Sequence, residues 1–447
     1  MRIVIYIDNK SIADVDCSDL TKGNPGIGGT EYCILLLAQL YKRYYPDNQI
    51  TLIASSKGIL PEVDDIVIEN KYFGRYSVPS GASVGSREAL ELRDNDKNRF
   101  FGKGVITAVA NVNGIIRENI LNMNFDIQKE LDDKLIALDG TENKSKLGAN
   151  AILGVSGAFF KASAVYNQKT LYDMLGNRKL PLLMVNILNG GKHSNNNISF
   201  QEFMIIPKRN SVRDNVRIAS EVFHSLKTLL DKEGYSTAVG DEGGFAPNLK
   251  SNEAALEFIV EAIKMANYVP GVDVFLALDV AATSIYDKGN YLIDGNKYSN
   301  DELLDYYSML LDKYPIVSIE DPVYEDDFEL FAKVTRMFGD RVILVGDDLF
   351  VTNPIYLQKG IDMEAGNAIL IKPNQIGTIS EMIATIKLAK ENNYKTIMSH
   401  RSGETEDTLI ASLAVGLVTD FIKTGSMSRG ERICKYNELM RIEEEIR

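Results

Sequence analysis

Short apolar runs that end in charged or polar residues alternate with helix-like segments from Leu180 onward. Continuous apolar strands that alternate with helices are typical of a parallel sheet covered on both faces. The pattern therefore predicts an α/β barrel, a fold in which catalytic groups stand at the carboxyl ends of the strands. The runs read LLMVNIL, SFQEFMIIP, VFLALDV, PIVSIED, VILVGDD, AILIKPN and TIMSHRS.

The first segment of the chain has a different pattern. An apolar run at 3–7 leads through NPGIGGTE into an apolar-rich helical stretch at 32–40 and then into QITLIAS, which predicts a β-loop-α-β unit. Gly26, Gly28 and Gly29 lie ahead of the helix, where backbone N–H groups can hold a phosphate. Plain turn glycines are the more common explanation, so phosphate binding is the weaker interpretation.

Two further stretches separate this segment from the predicted barrel. Residues 61–74 are mostly charged and polar around one short apolar run, and they predict a junction with at most one strand. Residues 98–161 carry small and apolar residues at helical spacing in AVANVNGIIRENI and GANAILGVSGAFFKASAVY. This second stretch predicts a helical cap.

The composition is that of an ordinary globular protein. The chain has 447 residues, more than a single hydrophobic core usually serves, so at least two domains are expected. A formal net charge of −13 argues against binding to a nucleic-acid backbone. Three scattered cysteines predict neither a disulfide framework nor a zinc site. Without a leader-like or membrane-spanning apolar run, the chain is expected to reside in a reducing cytoplasm.

Three acidic residues close successive apolar runs. Asp279, Glu320 and Asp347 are separated by 41 and 27 residues, about the length of a strand-helix unit, so successive barrel strands would bring them to one rim. Converging carboxylates repel one another unless a cation lies among them, and all-oxygen ligation suits Mg²⁺. A solvated or helix-capping acid is the alternative for each residue taken alone. The series as a whole favours a magnesium site.

Cationic residues continue the same spacing. Lys372 follows the apolar run NAILI, and the series runs on to His400, Arg401 and Lys423. Desolvation and neighbouring positive charge are expected to lower the pKa of Lys372 towards that of a usable base. A salt-bridged structural lysine fits the pattern equally well. Arg401 and Ser402 can present a planar fork and a hydroxyl to a phosphate, whereas a surface ion pair is the alternative for Arg401.

A second pair of acids falls on earlier units. Glu202 in SFQEFMIIP and Glu242 in VGDEGGFAP could face the same rim, where burial would push their pKa values apart and keep one of them protonated at neutral pH. A solvated or capping carboxylate is the alternative for either. His193 and His400 fall in polar loops at strand ends, while His224 in EVFHSLKTLL is expected to pack within a helix.

A series of short strings runs in order through residues 79–445, some four-fifths of the chain. The strings are PSGAS, EALELRD, GKGV, LDGTENKSKLGANAILGVS, QEFMIIP, TAVGDEGGFAPN, SIEDP, VGDDLFVTN, NQIGT, SHRSGETED, IKTGSMSR and ERICKYNELMRIEEE. Each is short, but together and in this order they resemble an enolase over about residues 72–447.

This resemblance implies a fold and a cofactor. An enolase has a (β/α)₈-type barrel with an N-terminal α+β capping domain. The matching positions imply that Asp279, Glu320 and Asp347 hold one Mg²⁺, and that Ser83 on the cap loop helps to bind a second, which gives two ions per active site. A homodimer and a cytoplasmic location, with a secondary cell-surface or secreted pool, follow from the same resemblance.

The resemblance also implies a reaction, the reversible dehydration of 2-phosphoglycerate to phosphoenolpyruvate in glycolysis. Lys372 would take the C2 proton, and Glu242, helped by Glu202, would protonate the departing C3 hydroxyl. Lys423 and the metal ions would stabilise the enolate, because a proton next to a carboxylate is very weakly acidic. The residues that would bind the substrate, with Arg401 and Ser402 holding its phosphate, are Gln201, His193, His400, Arg401, Ser402 and Lys423.

The start of the chain departs from this resemblance. PSGAS begins only at Pro79, later than in an enolase, and Val84 stands where the family usually has Thr. Residues 1–70 instead resemble the N-terminal part of a GT-B glycosyltransferase, through RIVIYID, GIGGTE and the helix that follows. In enolases the strands replaced here complete the cap sheet and contribute to the dimer interface. The homodimer is therefore the expectation that depends most on this segment.

Together these observations predict three domains and one leading function. The domains are an atypical β-loop-α-β segment at 1–70, a capping domain at 71–178 and a barrel at 179–447. The leading hypothesis is an enolase-like lyase that binds a phosphorylated small molecule, with no nucleic-acid partner and no membrane span. One alternative is a non-catalytic, enolase-derived binding protein with an incomplete cap. Another is a glycosyltransferase, which would need a second nucleotide-binding domain where this chain has the barrel.

Overall fold

A computed structural model of the chain describes residues 2–7, 17–22, 24–25, 29–44, 49–54, 65–68, 72–81 and 85–447. The chain divides into two units, Met1–Phe73 and Gly74–Arg447. Gly26, Gly28, Ser83 and Val84 lie outside the described residues. What the sequence predicts for the glycine loop and for Ser83 therefore stays a prediction.

The first unit contains a three-stranded parallel sheet. Strand β1 (Arg2–Ile7) pairs with β2 (Gln49–Ala54), and β2 pairs with β3 (Asp65–Ile68). Helix α1 (Gly29–Tyr44) lies between β1 and β2 in the chain, which is the order that the β-loop-α-β pattern predicts. The strand β3 lies in the stretch for which at most one strand was expected.

The second unit begins with an extended segment followed by a helical cap, in the stretch where helices were predicted. Buried apolar residues of the cap, among them Ile116, Leu135 and Ile152, form a core of their own. The cap elements are α2 (Ile106–Asn111), a π-helical turn (Val112–Ile116), α3 (Arg117–Ile120), α4 (Gln128–Asp139) and α5 (Ala149–Tyr166).

Residues 182–423, all of which the structure describes, contain a closed barrel of eight strands. The strands of this region are β4 (Leu182–Asn189), β5 (Glu202–Pro207), β6 (Val274–Asp279), β7 (Tyr286–Asp287), β8 (Asn290–Ile293), β9 (Asn296–Tyr298), β10 (Ile316–Glu320), β11 (Ile343–Gly346), β12 (Ala368–Ile371), β13 (Lys395–Ser399) and β14 (Phe421–Lys423). Strands β7 to β9 form a small antiparallel sheet, and the others close in the order β10-β11-β12-β13-β14-β4-β5-β6.

Helices surround the barrel, and several begin at a polar residue that caps them. Ser211 accepts a hydrogen bond from Asp214 N, and Asn353 accepts one from Ile355 N ahead of a proline at the first helical position. The helices are α6 (Val212–Lys232), α7 (Asn252–Met265), α8 (Asn300–Lys313), α9 (Phe328–Phe338), α10 (Pro354–Met363), α11 (Pro373–Ile376), α12 (Ile379–Glu391), α13 (Leu409–Gly416) and α14 (Gly430–Ile446).

One strand departs from the predicted parallel sheet, because β5 runs antiparallel to both β4 and β6. A parallel crossover usually requires a dozen or more residues and a helix. The connection at 190–201 has twelve residues, the lower limit for such a crossover, and it contains a 3₁₀ turn at Gly191–His193 in place of a helix. The parallel prediction is therefore wrong at β5. The reversal brings the beginning of this strand, rather than its end, to the rim where the other strands finish.

Asp132 joins the cap to the barrel and makes a pH-dependent contribution to stability. It is fully buried on α4 and accepts hydrogen bonds from Ser380 N at the start of α12 and from Gln128 Nε2, at 2.9 and 3.1 Å. Burial raises the pKa of Asp132 above its usual 3.8. Because the pKa in the folded chain exceeds that in the unfolded chain, the contribution is fully present below 3.8 and is lost as pH rises through the raised pKa.

We expect the stability of Asp132→Asn to lack this pH dependence, because an asparagine side chain does not ionise. Urea unfolding of wild type and variant should show a difference in the free energy of unfolding that shifts in favour of the variant as the pH rises above about 4. Asp133→Asn, which removes an exposed carboxylate from the same helix, is the matched control. A difference for Asp132→Asn that stays constant with pH would contradict the assignment.

Candidate active site

The rim at the carboxyl ends of the strands brings the predicted residues together. Asp279, Glu320 and Lys423 are the last residues of β6, β10 and β14. Glu202 reaches the same rim from the first position of β5, because the antiparallel register pairs it with Asp279. The sequence-predicted residues that line one pocket are His193, Gln201, Glu202, Glu242, Asp279, Asp347, Lys372, His400, Arg401, Ser402 and Lys423.

Lys423 lies among three buried acids. Its Nζ is 2.8 Å from Glu320 Oε2, 3.0 Å from Asp279 Oδ2 and 3.2 Å from Glu202 Oε1. Burial alone would lower the pKa of Lys423, but the carboxylates of Asp279, Glu202 and Glu320 raise it well above its usual value. The side chain is therefore a fixed ammonium, and it keeps converging negative charges together inside the barrel.

Lys372 contacts Asp347, with 2.5 Å between Nζ and Oδ2. Burial and the nearby Arg401 lower the pKa of Lys372, as the sequence predicts, but Asp347 and Glu320 outweigh them and the pKa is raised. The expected lowering is therefore wrong for the arrangement seen here. The sequence pattern places the positive neighbours correctly but does not reveal a direct contact with Asp347, the acid that follows the adjacent strand β11.

Glu202, Glu242 and His193 form a compact buried group. One side-chain nitrogen or oxygen atom of each residue, of the kind that could bind a metal ion, lies within 4.8 Å of those of the other two. His193 Nδ1 is 3.5 Å from Glu202 Oε1 and 3.6 Å from Glu242 Oε1. Burial and the charge of Glu242 raise the pKa of Glu202 well above its usual value. Burial would also raise the pKa of Glu242, but His400 and His193 outweigh it and hold the pKa well below its usual value. The pKa values of the pair therefore diverge, and that of Glu202 is the higher.

Arg401 makes a buried ion pair rather than the surface pair considered as an alternative. Its Nη1 is 2.7 Å from Glu88 Oε2 and 3.0 Å from Asn374 Oδ1, and its Nη2 is 3.2 Å from Glu88 Oε1. Both charged side chains are nearly fully buried, at 3% and 4% exposure. Glu88 lies within the string EALELRD, but a contact across 313 residues leaves no signal in local spacing. Sequence reasoning therefore missed its role in orienting the candidate phosphate ligand.

The three predicted metal ligands fit a hard cation. Asp279, Glu320 and Asp347 offer only carboxylate oxygens, are at most 9% exposed, and each contacts a lysine ammonium in this structure. Such a donor set suits Mg²⁺ better than a transition metal.

A second cluster of acids joins Asp347 to Asp321 and Asp348, with one carboxylate oxygen of each within 4.8 Å of the others. Asp321 there accepts the backbone N–H groups of the other two, at 2.9 and 2.8 Å, and so fixes the loop.

Comparison with known families gives two matches, which together cover most of the chain. A model described as "Enolase, C-terminal TIM barrel domain" matches residues 177–447, and one described as "Enolase, N-terminal domain" matches residues 51–175. The second match includes residues 51–70, which the strings alone leave outside the resemblance. The expected barrel with an N-terminal capping domain is confirmed.

Within the described part of the chain, no helix combines the length and apolar character that a bilayer crossing requires.

Proposed function

We propose that this chain, which belongs to the enolase family, is a hydro-lyase that interconverts 2-phosphoglycerate and phosphoenolpyruvate. In the dehydration direction a proton leaves C2, the C3 hydroxyl leaves as water, and a carbon-carbon double bond forms. The reaction needs a base, an acid and positive charge beside the substrate carboxylate. The observation that carries the proposal is that one pocket supplies all three, through Lys372, the Glu202–Glu242 pair and Lys423.

Lys372 is the proposed base. Its amine must be neutral to take the C2 proton, and Arg401 and Lys423 both favour the neutral form while Asp347 opposes it. The ammonium paired with Asp347 suits the reverse direction, in which the same residue must return a proton to C2. A lysine held between opposing charges can serve both directions, as a reversible reaction requires.

The Glu202–Glu242 pair is the proposed acid. The raised pKa of Glu202 favours a proton on that member of the pair. Glu242 belongs to the same compact group, so we infer that it hands a proton to the departing C3 hydroxyl while Glu202 acts as the store. Lys423 contacts Glu202 directly and is a fixed positive charge that can stabilise the enolate.

The remaining residues bind the substrate and the metal. We assign the phosphate to Arg401 and Ser402, with His193, His400 and Gln201 lining the pocket. Gln201 Nε2 lies 3.2 Å from Asp279 Oδ2 and so helps to orient a ligand carboxylate. Two Mg²⁺ ions are expected. Asp279, Glu320 and Asp347 would hold one, and Ser83 would help to bind the other. When bound, they would supply the positive charge that offsets the charge developing on the substrate carboxylate.

Assembly, location and domain limits belong to the same proposal. Family membership leads us to expect a homodimer in the cytoplasm, with a secondary surface or secreted pool, and domains bounded near residues 70 and 178. Light scattering on the purified full chain would measure the assembly, and cell fractionation would measure the location.

The reaction itself is tested directly on the full chain. With Mg²⁺ present, 2-phosphoglycerate should be converted to phosphoenolpyruvate, which is followed by its ultraviolet absorbance. Activity should vanish with a chelator and return when Mg²⁺ is added in excess. Binding of 2-phosphoglycerate without turnover at any Mg²⁺ concentration would instead identify a non-catalytic binding protein derived from an enolase.

A further inference from the structure

Arg432 on α14 is fully buried, although it carries a charge. Its guanidinium donates to three backbone carbonyls, those of Arg401 and Ser402 at 2.6 Å and that of Asp241 at 3.2 Å. Nη1 also lies 2.5 Å from His400 Nδ1. A buried guanidinium is costly unless its donors are met. Here Nη1 and Nη2 bind the loop that follows β13 to the loop that carries Glu242, while Nε lies 3.4 Å from Glu431 Oε1.

The contact with His400 determines how that ring is protonated. A guanidinium has donors and no acceptor, so His400 Nδ1 must accept the hydrogen bond. Burial lowers the pKa of His400 to about 3, which leaves the ring neutral at physiological pH. Its single proton therefore lies on Nε2, which is 3.2 Å from Glu242 Oε2. The charged groups that face this ring are Glu242, Arg432 and Lys423.

The orientation of Glu242 follows from that proton. Its Oε2 faces both His400 Nε2 and Asn186 Nδ2, the latter at 3.1 Å. With two donors on Oε2, the other oxygen, Oε1, is the one that lies near His193. The chain of contacts from Arg432 through His400, together with Asn186, therefore fixes which carboxylate oxygen of Glu242 faces His193.

We propose that Arg432 is a positioning residue: by occupying His400 Nδ1 with a donor, it keeps His400 a neutral Nε2–H donor to Glu242 and so holds the acid pair in its working orientation. The kinetic part of this inference rests on the proposed function. The protonation state of His400 does not depend on the proposed function, so the proposed function and the role of Arg432 can be disproved separately.

Nuclear magnetic resonance of ¹⁵N-labelled histidine tests the protonation state on the full chain. The sequence has three histidines, and His400→Gln identifies the signal of His400. In the wild type, His400 should show a protonated Nε2 and an unprotonated, hydrogen-bonded Nδ1 throughout the neutral pH range. Arg432→Met, which removes the donor and the charge, should let Nδ1 take up a proton at higher pH than in the wild type. Arg432→Lys, which retains both, should restore the neutral ring.

Lys435→Met is the matched control. Lys435 is also fully buried on α14 and donates to the carbonyls of Thr405 and Glu431, but it has no contact with His400. This variant should lower thermal stability and leave the His400 signals unchanged. If Arg432→Met leaves those signals as in the wild type, or if Lys435→Met alters them as much, the proposal is overturned.

The kinetic measurement separates positioning from simple support of the loop. Through His400, Arg432→Met should lower kcat by about tenfold or more, the scale of losses when a supporting hydrogen bond is removed from a site. A rise in KM with unchanged kcat would show that Arg432 serves only the phosphate loop, and would overturn the proposal. In a His400→Gln background, Arg432→Met should lower kcat no further, because both changes break the same chain of contacts.

Discussion

Lys372→Ala should abolish dehydration of 2-phosphoglycerate while leaving its binding largely intact. A positioned base acts in the transition state, so its loss should lower kcat by at least the 10²- to 10⁴-fold that such groups typically contribute, about 3–5 kcal/mol. The dissociation constant, measured by calorimetry with Mg²⁺, should change little. A kcat within about tenfold of wild type would remove Lys372 from the role of base.

Two further variants separate proton transfer from electrostatics. Lys372→Arg keeps a cation beside Asp347, but a guanidinium does not give up its proton near neutral pH, so this variant should be as inactive as Lys372→Ala. Lys144→Ala removes another buried lysine, one that pairs with Glu381 at 3.0 Å and does not line the pocket. It should lower stability and leave kcat nearly unchanged. High activity in Lys372→Arg would mean that charge alone suffices.

Glu320→Gln should weaken the hold on Mg²⁺ and lower activity, even if the chain becomes more stable. The substitution preserves the shape of the side chain but removes one of three buried carboxylates that share Lys423. Mutual repulsion of the acids falls, which favours stability, while the metal loses a charged ligand. We expect the Mg²⁺ concentration for half-maximal rate to rise by more than about tenfold, the scale found for changes around a metal site.

The control for this variant is Asp348→Asn. Asp348 lines the active-site pocket but is not among the proposed ligands, so its loss should affect Mg²⁺ binding less than Glu320→Gln does. Titration calorimetry with Mg²⁺ alone measures the affinity without relying on turnover. Unchanged binding in Glu320→Gln would remove Glu320 from the ligand set, and an equal loss in Asp348→Asn would show that the effect reports the negative charge of the pocket rather than ligation by Glu320.

Much of the barrel could be predicted because its strands are short apolar runs that end in charged residues. Such runs predict seven of the barrel strands, but β14 has only three residues, Phe421–Lys423, too few to stand out as a run. The sequence finds Lys423 through spacing instead. The direction of β5 was predicted wrongly, because an apolar run does not show whether a strand pairs parallel or antiparallel. The connection at 190–201, which holds a 3₁₀ turn in place of a crossover helix, is the feature that goes with the antiparallel direction.

The sequence predicted which residues line the candidate site more fully than it predicted the contacts between them. Motif and spacing identify Lys372 and Lys423, but the acids that contact them decide their pKa values, and those contacts cross from strand to strand. Glu88 and Arg432 show the same limit, since each supports a site residue that is distant in sequence. Local patterns indicate where a side chain lies along a strand or helix. They do not indicate which atom it meets across the barrel.

Closure of the barrel by β14 sets the order in which the site can be completed during synthesis. The ladder joins Phe421 to Leu182 and Lys423 to Met184, so the first barrel strand leaves the ribosome long before its neighbour. Until then β4 and β13 are open edges that invite pairing with other chains. Lys423 arrives with the last strand, and only then do the three buried acids acquire the ammonium that they share. A chain that stops short of Phe421 therefore combines open edges with unbalanced buried charge, so the strand that closes the barrel also brings the charge that balances its interior.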